Sequence, residues 1–203
     1  MNADKIFLVG AAGAGKSEAK AILAECLKLQ RRRPIVAAET GDVVLDKVAT
    51  YESYGNYPEP TAKSPAAWRA YILSDKRWYR GRLRAMGDIM TDANPRALID
   101  PCLSADLIVG VRRRSECLGL YAEALADLHS NVQEILRRCR LEALRVRHAW
   151  IRVERPDMPT IGDSFEAQWF QHFCPFNLRN TTREDLAGQC MKLAAALSEG
   201  CRQ

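Results

Sequence analysis

The stretch Lys5-Ile-Phe-Leu-Val-Gly-Ala-Ala-Gly-Ala-Gly-Lys-Ser17 lies near the start of the chain and decides its fold. Its first five residues are a lysine and the continuous apolar run Ile6-Phe-Leu-Val9, which is typical of a strand buried on both faces of a parallel sheet. Beyond the last glycine, apolar residues recur at helical spacing as far as Leu29, which predicts a helix from Lys16. The stretch therefore predicts a buried strand, a glycine-rich loop and a helix, in that order.

Residues 10–17 match the pattern GxxxxGK[ST] without deviation. Glycines allow the backbone to curl so that successive N–H groups point towards phosphate oxygens, and the following helix adds the positive end of its dipole. The pattern therefore predicts a loop that binds the phosphates of ATP. Lys16 is expected to reach the β- and γ-phosphates, and the Ser17 hydroxyl to ligate Mg²⁺. The residues expected to contact ATP here are Gly10, Ala11, Gly13, Ala14, Gly15, Lys16, Ser17 and Glu18.

Strand and helix patterns alternate along the rest of the chain, as in α/β proteins with a parallel sheet. Further strands are predicted at 35–38, 107–111, 150–153 and 176–178, and helices at 16–29, 42–50, 65–90 with breaks, 94–104, 118–128, 132–139 and 182–198. Together with the loop, this order predicts a three-layer P-loop NTPase fold with a central parallel sheet, helices on both faces and a lid segment. The 203 residues are expected to form a single domain, with a helical acceptor-binding segment at about 42–104 and a lid-like segment at about 155–175.

The composition is that of an ordinary soluble globular protein, with 47% hydrophobic and 27% charged residues. The net charge is +5, and 22 of the 30 basic residues are arginine. Arginine binds phosphate bidentately, so this bias favours phosphate-bearing ligands, although a coding bias towards arginine explains it equally well. The seven cysteines contain no CxxC pair, so neither a zinc site nor a disulfide framework is expected. With no signal peptide and no long apolar run, the chain is expected in the cytoplasm, without a membrane partner.

The loop pattern by itself leaves the reaction open, because ATPases, GTPases and small-molecule kinases all carry it. The sequence has no Asn-Lys-x-Asp motif of GTPases and is too short for the usual helicase or AAA+ core. A compact nucleotide-dependent kinase is therefore the remaining expectation. Such an enzyme normally has a carboxylate at the end of a neighbouring strand to hold the water shell of Mg²⁺. The strand at 107–111, however, ends in Gly110-Val-Arg-Arg-Arg-Ser-Glu116.

Gly110-Val-Arg112 followed by Glu116 resembles the strand-end signature Asp-x-Arg-x-x-x-Glu of the phage-type deoxynucleoside monophosphate kinases. These are P-loop kinases related in fold to adenylate and dephospho-coenzyme A kinases. Arg112 and Glu116 match the signature, whereas Gly110 stands where the family has aspartate. This departure implies either that another carboxylate handles Mg²⁺ or that catalysis is weak.

Three further segments are similar to the same family and follow its order along the chain. They are Arg82-Leu-Arg-Ala-Met-Gly-Asp88 with Pro95-Arg96 downstream, Ile151-Arg-Val-Glu-Arg-Pro156, and Asn180-Thr-Thr-Arg-Glu-Asp-Leu186. The resemblance implies transfer of a phosphoryl group from ATP to a (deoxy)nucleoside monophosphate, with Mg²⁺ as cofactor and the host cytoplasm as location if the gene is phage-encoded. It implies catalytic roles for Arg112 and Arg155, substrate contacts for Arg84, Arg96 and Glu116, and a position beside the adenine for Asn180.

Asp42 follows the second predicted strand, where a carboxylate faces the crevice in which open α/β sheets bind ligands. It is therefore a candidate contact for the acceptor nucleotide, and equally a candidate N-cap for the next helix. Nucleic acid is not an expected partner, because no helix-turn-helix or RRM signature and no interleaved aromatics accompany the basic charge. A homodimer is compatible with the sequence. Three alternatives remain: a kinase for another small acceptor, a nucleotide-binding protein without turnover, and an ATPase stimulated by nucleic acid.

Overall fold

The computed structural model describes residues 5–11, 13–55, 63–125, 148–157, 169–171 and 173–198. Its strands are β1 (Lys5–Val9), β2 (Ala37–Glu39), β3 (Leu107–Val111), β4 (His148–Glu154) and β5 (Phe176–Arg179). Its helices are α1 (Lys16–Arg31), α2 (Thr40–Ser53), α3 (Pro65–Ser74), α4 (Lys76–Ala93), α5 (Arg114–Leu125) and α6 (Arg183–Ser198). The helix predicted at 132–139 and most of the predicted lid-like segment lie outside the described residues.

The five strands run parallel in one sheet, in the order β2-β3-β1-β4-β5. The predicted α/β class with a central parallel sheet is therefore confirmed. From β1 the chain passes over β3 to reach β2, whereas from β3 it passes over β1 to reach β4. The direction of the crossovers thus reverses between β1 and β3. In open α/β sheets, ligands bind beyond the carboxyl ends of the strands at such a reversal.

Successive side chains of β1 lie on opposite faces of the sheet, as the strand period of two requires. Ile6 and Leu8 belong to the apolar core that includes buried residues of α1 and α6. Phe7 and Val9 belong to the core on the other face, which includes buried residues of α5. Helices therefore cover both faces of the sheet, as predicted.

Helices α2, α3 and α4 form an apolar cluster of their own. Val44 and Val48 of α2 pack there with Trp68 of α3 and with Tyr79 of α4. Because α2 begins directly at the end of β2, this helical group lies beside the carboxyl ends of the strands. It corresponds to the described part of the predicted acceptor-binding segment, residues 42–104 without 56–62.

Two local expectations have different outcomes. Pro65 begins α3, so the helix start predicted at residue 65 is confirmed, and the Ser64 side chain caps this helix by accepting a hydrogen bond from the N–H of Ala67. The helix predicted from residue 94 is wrong. The chain there forms turns, because the Asn94 side chain accepts a hydrogen bond from the Arg96 N–H at 2.9 Å, and only a short 3-10 turn follows at Asp100–Cys102. Among the described helices, none is long and apolar enough to cross a membrane.

Candidate functional site

The glycine-rich loop, residues 10–15, follows the central strand β1 and leads into α1. Gly10 and Gly15 have φ angles of 144° and 88°, which side-chain-bearing residues rarely adopt. A Cβ atom at Gly10 would lie 2.3 Å from the carbonyl oxygen of Val153 on β4. A Cβ atom at Gly15 would lie 1.9 Å from Nδ2 of Asn180. Both glycines are therefore required by the backbone conformation and by close neighbours.

Asn180 lies just after β5 and is packed against the glycine-rich loop. Its side chain is buried, with Nδ2 at 3.5 Å from the carbonyl oxygen of Ala14 and 3.4 Å from the carboxylate of Glu18. These contacts join the end of the sheet to the loop and to the first turn of α1. Asn180 thus belongs to the site, and its described contacts position the loop.

Lys16, the first residue of α1, folds back over the glycine-rich loop. Its Nζ atom donates hydrogen bonds to the carbonyl oxygens of Gly10 at 2.8 Å and Ala11 at 2.7 Å. Burial, and after it the positive charge of Arg112, lower the pKa of Lys16 to about 8, while the charge of Glu39 acts in the opposite direction. The three side chains are therefore close enough to influence one another.

A cavity of about 180 Å³ opens between the start of α1, the end of β2 and the end of β3. Its volume is below the range of about 300–1,000 Å³ that is usual for pockets enclosing a whole small molecule. The lining residues come from five elements and are Lys16, Ser17, Glu39, Thr40, Gly41, Val44, Leu83, Val109, Gly110 and Arg112. The cavity coincides with the crossover reversal between β1 and β3.

Arg112 follows β3 and lies between the glycine-rich loop and helix α4. A Cβ atom at Gly87 of α4 would lie only 2.8 Å from Nη2 of Arg112. The guanidinium therefore packs over a position that has no side chain. Together with Lys16 it gives the cavity two positive groups, which is an arrangement suited to an anion.

Glu116 is 1% exposed and its described hydrogen bonds are made within the protein. One carboxylate oxygen accepts hydrogen bonds from the N–H groups of Arg112 at 2.7 Å and Arg113 at 3.2 Å. The other oxygen accepts a hydrogen bond from the hydroxyl of Thr91 at 3.2 Å. The structure thus brings Glu116 to the site as a residue that fixes the turn carrying Arg112, and it does not line the cavity.

Besides Glu116, four residues that were predicted to bind the substrate or to act in catalysis do not line the cavity. Asp42 is not the residue that caps α2, because the helix begins at Thr40 and its N-cap position is Glu39. The Asp42 carboxylate accepts a hydrogen bond from Arg69 at 2.9 Å. The remaining three are arginines beside an acidic residue a few positions away: Arg84 at 4.0 Å from Asp88, Arg96 at 2.8 Å from Asp100 and Arg155 at 3.1 Å from Asp157. The structure therefore brings together Lys16, Ser17 and Arg112 from the predicted set, and not these four.

Sequence reasoning missed Glu39 and Thr40, which line the cavity at the junction of β2 and α2. A signal for Glu39 was available, because a carboxylate that ends the second strand faces the same crevice as the one considered at Asp42. No comparable signal pointed to Thr40. Its side chain is 2% exposed and lies over Gly110, so its role depends on the packing of β2 against β3.

The oxygen donors of the cavity fit a magnesium ion that arrives with phosphates. Mg²⁺ binds oxygen ligands, keeps several waters, and usually takes one or two protein carboxylates plus substrate phosphates. Ser17 and Glu39, whose side chains carry a hydroxyl and a carboxylate, line the cavity. Within the described part of the chain, no group of three or more His, Cys, Asp or Glu side chains is placed to hold a metal ion by itself. A cation here would therefore depend on ligands brought by a nucleotide.

Comparison of the chain with protein-family models, with curated proteins and with solved structures found no match. Its function is therefore inferred from the geometry and the charges of this cavity.

Proposed function

We propose that this protein is a P-loop kinase that transfers the γ-phosphoryl group of ATP to a (deoxy)nucleoside monophosphate, giving ADP and the diphosphate. The observation that carries the proposal is the meeting of Lys16, Ser17 and Arg112 in one cavity beyond the carboxyl ends of β1 and β3. We interpret residues 10–17 as the phosphate-binding loop and the three-layer arrangement as a P-loop NTPase fold. The small volume of the cavity suits phosphate groups, with the nucleosides extending outside it.

The reaction needs positioning and charge neutralisation rather than a covalent intermediate, because an acceptor phosphate oxygen is already a nucleophile. It attacks the γ-phosphorus while the bond to the β-phosphate oxygen breaks and ADP leaves. Lys16 would exchange the carbonyl oxygens of Gly10 and Ala11 for phosphate oxygens, because an ammonium bonds more strongly to an anion than to a neutral carbonyl. Bound Mg²⁺, held through Ser17, supplies further neutralisation of phosphate charge.

Arg112 is the group that we expect to contact both the γ-phosphate of ATP and the phosphate of the acceptor. It shares the cavity with Lys16 on the donor side and packs over Gly87 of α4, within the helical acceptor-binding segment. Val44 and Leu83 complete the wall on that side. An acceptor phosphate that enters along α2 and α4 would therefore meet the guanidinium before it reaches the γ-phosphate.

The proposal is tested by incubating the protein with ATP, Mg²⁺ and each of the eight (deoxy)nucleoside monophosphates, and by separating the nucleotides chromatographically. Formation of a diphosphate from at least one acceptor is expected. Lys16→Ala is expected to lower this rate by about 100- to 1,000-fold, the usual loss when one charge-stabilising donor is removed, with an unchanged circular dichroism spectrum. Tight ATP binding without turnover of any acceptor would contradict the proposal, as would ATP hydrolysis that requires DNA or RNA.

A second candidate function is nucleotide binding without phosphoryl transfer. The observation that favours it is Gly110, which leaves the end of β3 without a carboxylate. The same incubation distinguishes the two functions, because a binding protein would retain ATP and Mg²⁺ and release neither ADP nor a diphosphate.

A further inference from the structure

The end of β3 has a backbone that excludes an aspartate. Gly110 has a φ of 103°, and a Cβ atom there would lie 2.6 Å from the hydroxyl oxygen of Thr40. The pairing of β1 with β3 is irregular at this point, since Leu8 pairs with Val109 and the next pair is Val9 with Val111. Gly110 is thus the extra residue of a bulge, a place where glycine is favoured. A carboxylate for Mg²⁺ must therefore come from another element.

Glu39 ends the strand next to β3 and lies beside this bulge. In the parallel pairing of β2 with β3 it is in register with Val109, one residue before Gly110. Glu39 lines the cavity together with Lys16 and Ser17. Its charge also acts on the ammonium of Lys16. The carboxylate of Glu39 therefore faces the cavity from the strand adjoining the bulge.

Lys20 of α1 makes an ion pair with the carboxylate of Glu39. Lys20 follows Ser17 by three positions, so the two side chains lie on the same face of α1. The side chains of Lys20 and Glu39 are 29% and 28% exposed, so the pair is partly shielded from water. This contact holds the carboxylate of Glu39 close to the first turn of α1, where Ser17 is.

The other carboxylates near the site are engaged elsewhere. Asp42 and Glu116 do not line the cavity, and their described contacts are with Arg69 and with the turn after β3. Glu18 lies against Asn180, on the side of the loop that faces β5. Glu39 is therefore the acidic side chain that the described residues contribute to the cavity.

We propose that Glu39 replaces the missing strand-end aspartate, so that its carboxylate and the Ser17 hydroxyl together hold the hydrated divalent cation that enters with a nucleoside triphosphate. The proposal rests on the proposed function to the extent that the cation needs a bound triphosphate. It assigns the carboxylate to the end of β2 instead of the end of the neighbouring strand β3. Both strand ends lie on the same side of the sheet, because the strands are parallel.

The test measures the affinity for a non-hydrolysable ATP analogue by calorimetry, once with Mg²⁺ and once with a chelator. The unmodified protein is expected to bind the analogue more tightly with Mg²⁺. In Glu39→Gln, the ratio of the affinity with Mg²⁺ to the affinity without it is expected to be lower by about tenfold or more. The variant is expected to bind the metal-free analogue as well as or better than the unmodified protein, because a negative charge is removed. The electron paramagnetic resonance signal of Mn²⁺ with the analogue gives a direct second readout.

Two control variants distinguish an effect of Glu39 on cation binding from an effect of its ion pair with Lys20. Glu25→Gln changes an exposed carboxylate of α1 that pairs with Lys28, and it should leave the Mg²⁺-dependent gain unchanged. Lys20→Gln breaks the ion pair but keeps the carboxylate, and it should reduce the gain by less than about threefold. Equal losses in Lys20→Gln and Glu39→Gln would overturn the proposal, as would a full gain in Glu39→Gln.

The outcome for Glu39 is distinguishable from the outcome for the proposed function. A gain that depends on Glu39 without diphosphate formation would overturn the kinase function and leave this inference intact. Diphosphate formation by Glu39→Gln with the Mg²⁺ dependence of the unmodified protein would overturn this inference and leave the kinase function intact.

Discussion

The ammonium of Lys16 shares a small cavity with the guanidinium of Arg112. Burial first, and the positive charge of Arg112 second, lower the pKa of Lys16 to about 8. A bound polyphosphate favours the charged ammonium and therefore raises this pKa again. Under the proposed function, we therefore expect nucleotide binding to be coupled to proton uptake at pH values above about 8.

We predict that the affinity for ATP falls as the pH rises from about 8 towards the ordinary lysine pKa of 10.5. Calorimetry in two buffers with different heats of ionisation measures the protons taken up, and Lys16→Met should abolish that uptake. The free energy of unfolding should rise with pH over the same interval, because the unfolded chain then binds more protons at this position than the folded protein. An ATP affinity that is constant from pH 7 to 9.5 would contradict the assignment of Lys16.

Gly110 provides a prediction about stability. Gly110→Asp introduces the aspartate of the signature that this strand end resembles, yet we expect it to lower the free energy of unfolding by about 1–3 kcal/mol, because φ is 103° and Thr40 is too close. Urea denaturation measures this loss. Gly41→Asp is the matched control, since a Cβ atom there has no heavy atom within 4 Å and Gly41 lies in the first turn of α2, where an acidic side chain is favourable. Equal stability of the two variants would argue against strain at Gly110.

At the scale of secondary-structure elements, helix α4 controls the position of Arg112. Gly87 is buried on the side of α4 that faces Arg112, whereas Arg84 is 80% exposed on another side of the same helix. A single helix therefore contributes to the site through a missing side chain rather than through its arginines. Leu83, which lies one turn before Gly87, completes the contact of α4 with the cavity.

The two glycines of α4 form a matched pair of variants. Gly81→Ala and Gly87→Ala both replace a glycine within a helix by alanine. This replacement by itself stabilises a helix by about 0.5–1 kcal/mol. Gly81 has open space around its Cβ position, so Gly81→Ala should be more stable and fully active. Gly87→Ala should displace Arg112 and reduce kcat/KM by about tenfold or more. Steady-state kinetics and urea denaturation of both variants measure the difference, and identical kinetics would show that the position of Arg112 does not matter.

At the scale of the whole molecule, aromatic side chains of the central strands join the sheet to the helical layer on one face. Trp150 of β4 is stacked on Phe7 of β1, with ring centroids 4.2 Å apart. Its indole N–H donates a hydrogen bond to the hydroxyl of Tyr121 on α5 at 2.8 Å, and this hydroxyl is 2.9 Å from Nδ1 of His148. The polar side-chain atoms of three residues on β4 and α5 thus satisfy one another.

We predict that Tyr121→Phe lowers the free energy of unfolding by about 1–3 kcal/mol, because the buried indole N–H of Trp150 loses its acceptor. Urea denaturation measures the loss, and the affinity for ATP should stay unchanged, because Tyr121 does not line the cavity. Tyr51→Phe, at a side chain that is 68% exposed on α2, should leave both quantities unchanged. A Tyr121→Phe protein of unmodified stability would show that the hydroxyl contributes nothing to the core.

The sequence by itself determined the features that depend on local patterns. The apolar run of β1, the glycines and lysine of residues 10–17 and the helical spacing after Lys16 predicted a buried strand, a glycine-rich loop and a helix, because side-chain periodicity and backbone freedom act over a few residues. Only the tertiary structure decided which charged residues meet. Glu39 reaches the cavity because β2 pairs in register with β3, some 70 positions further along, and Arg112 reaches it because α4 presents Gly87. Strand register and helix rotation are set by packing across the whole chain, which is why no local pattern could separate Arg112 from Arg84 or Glu39 from Asp42.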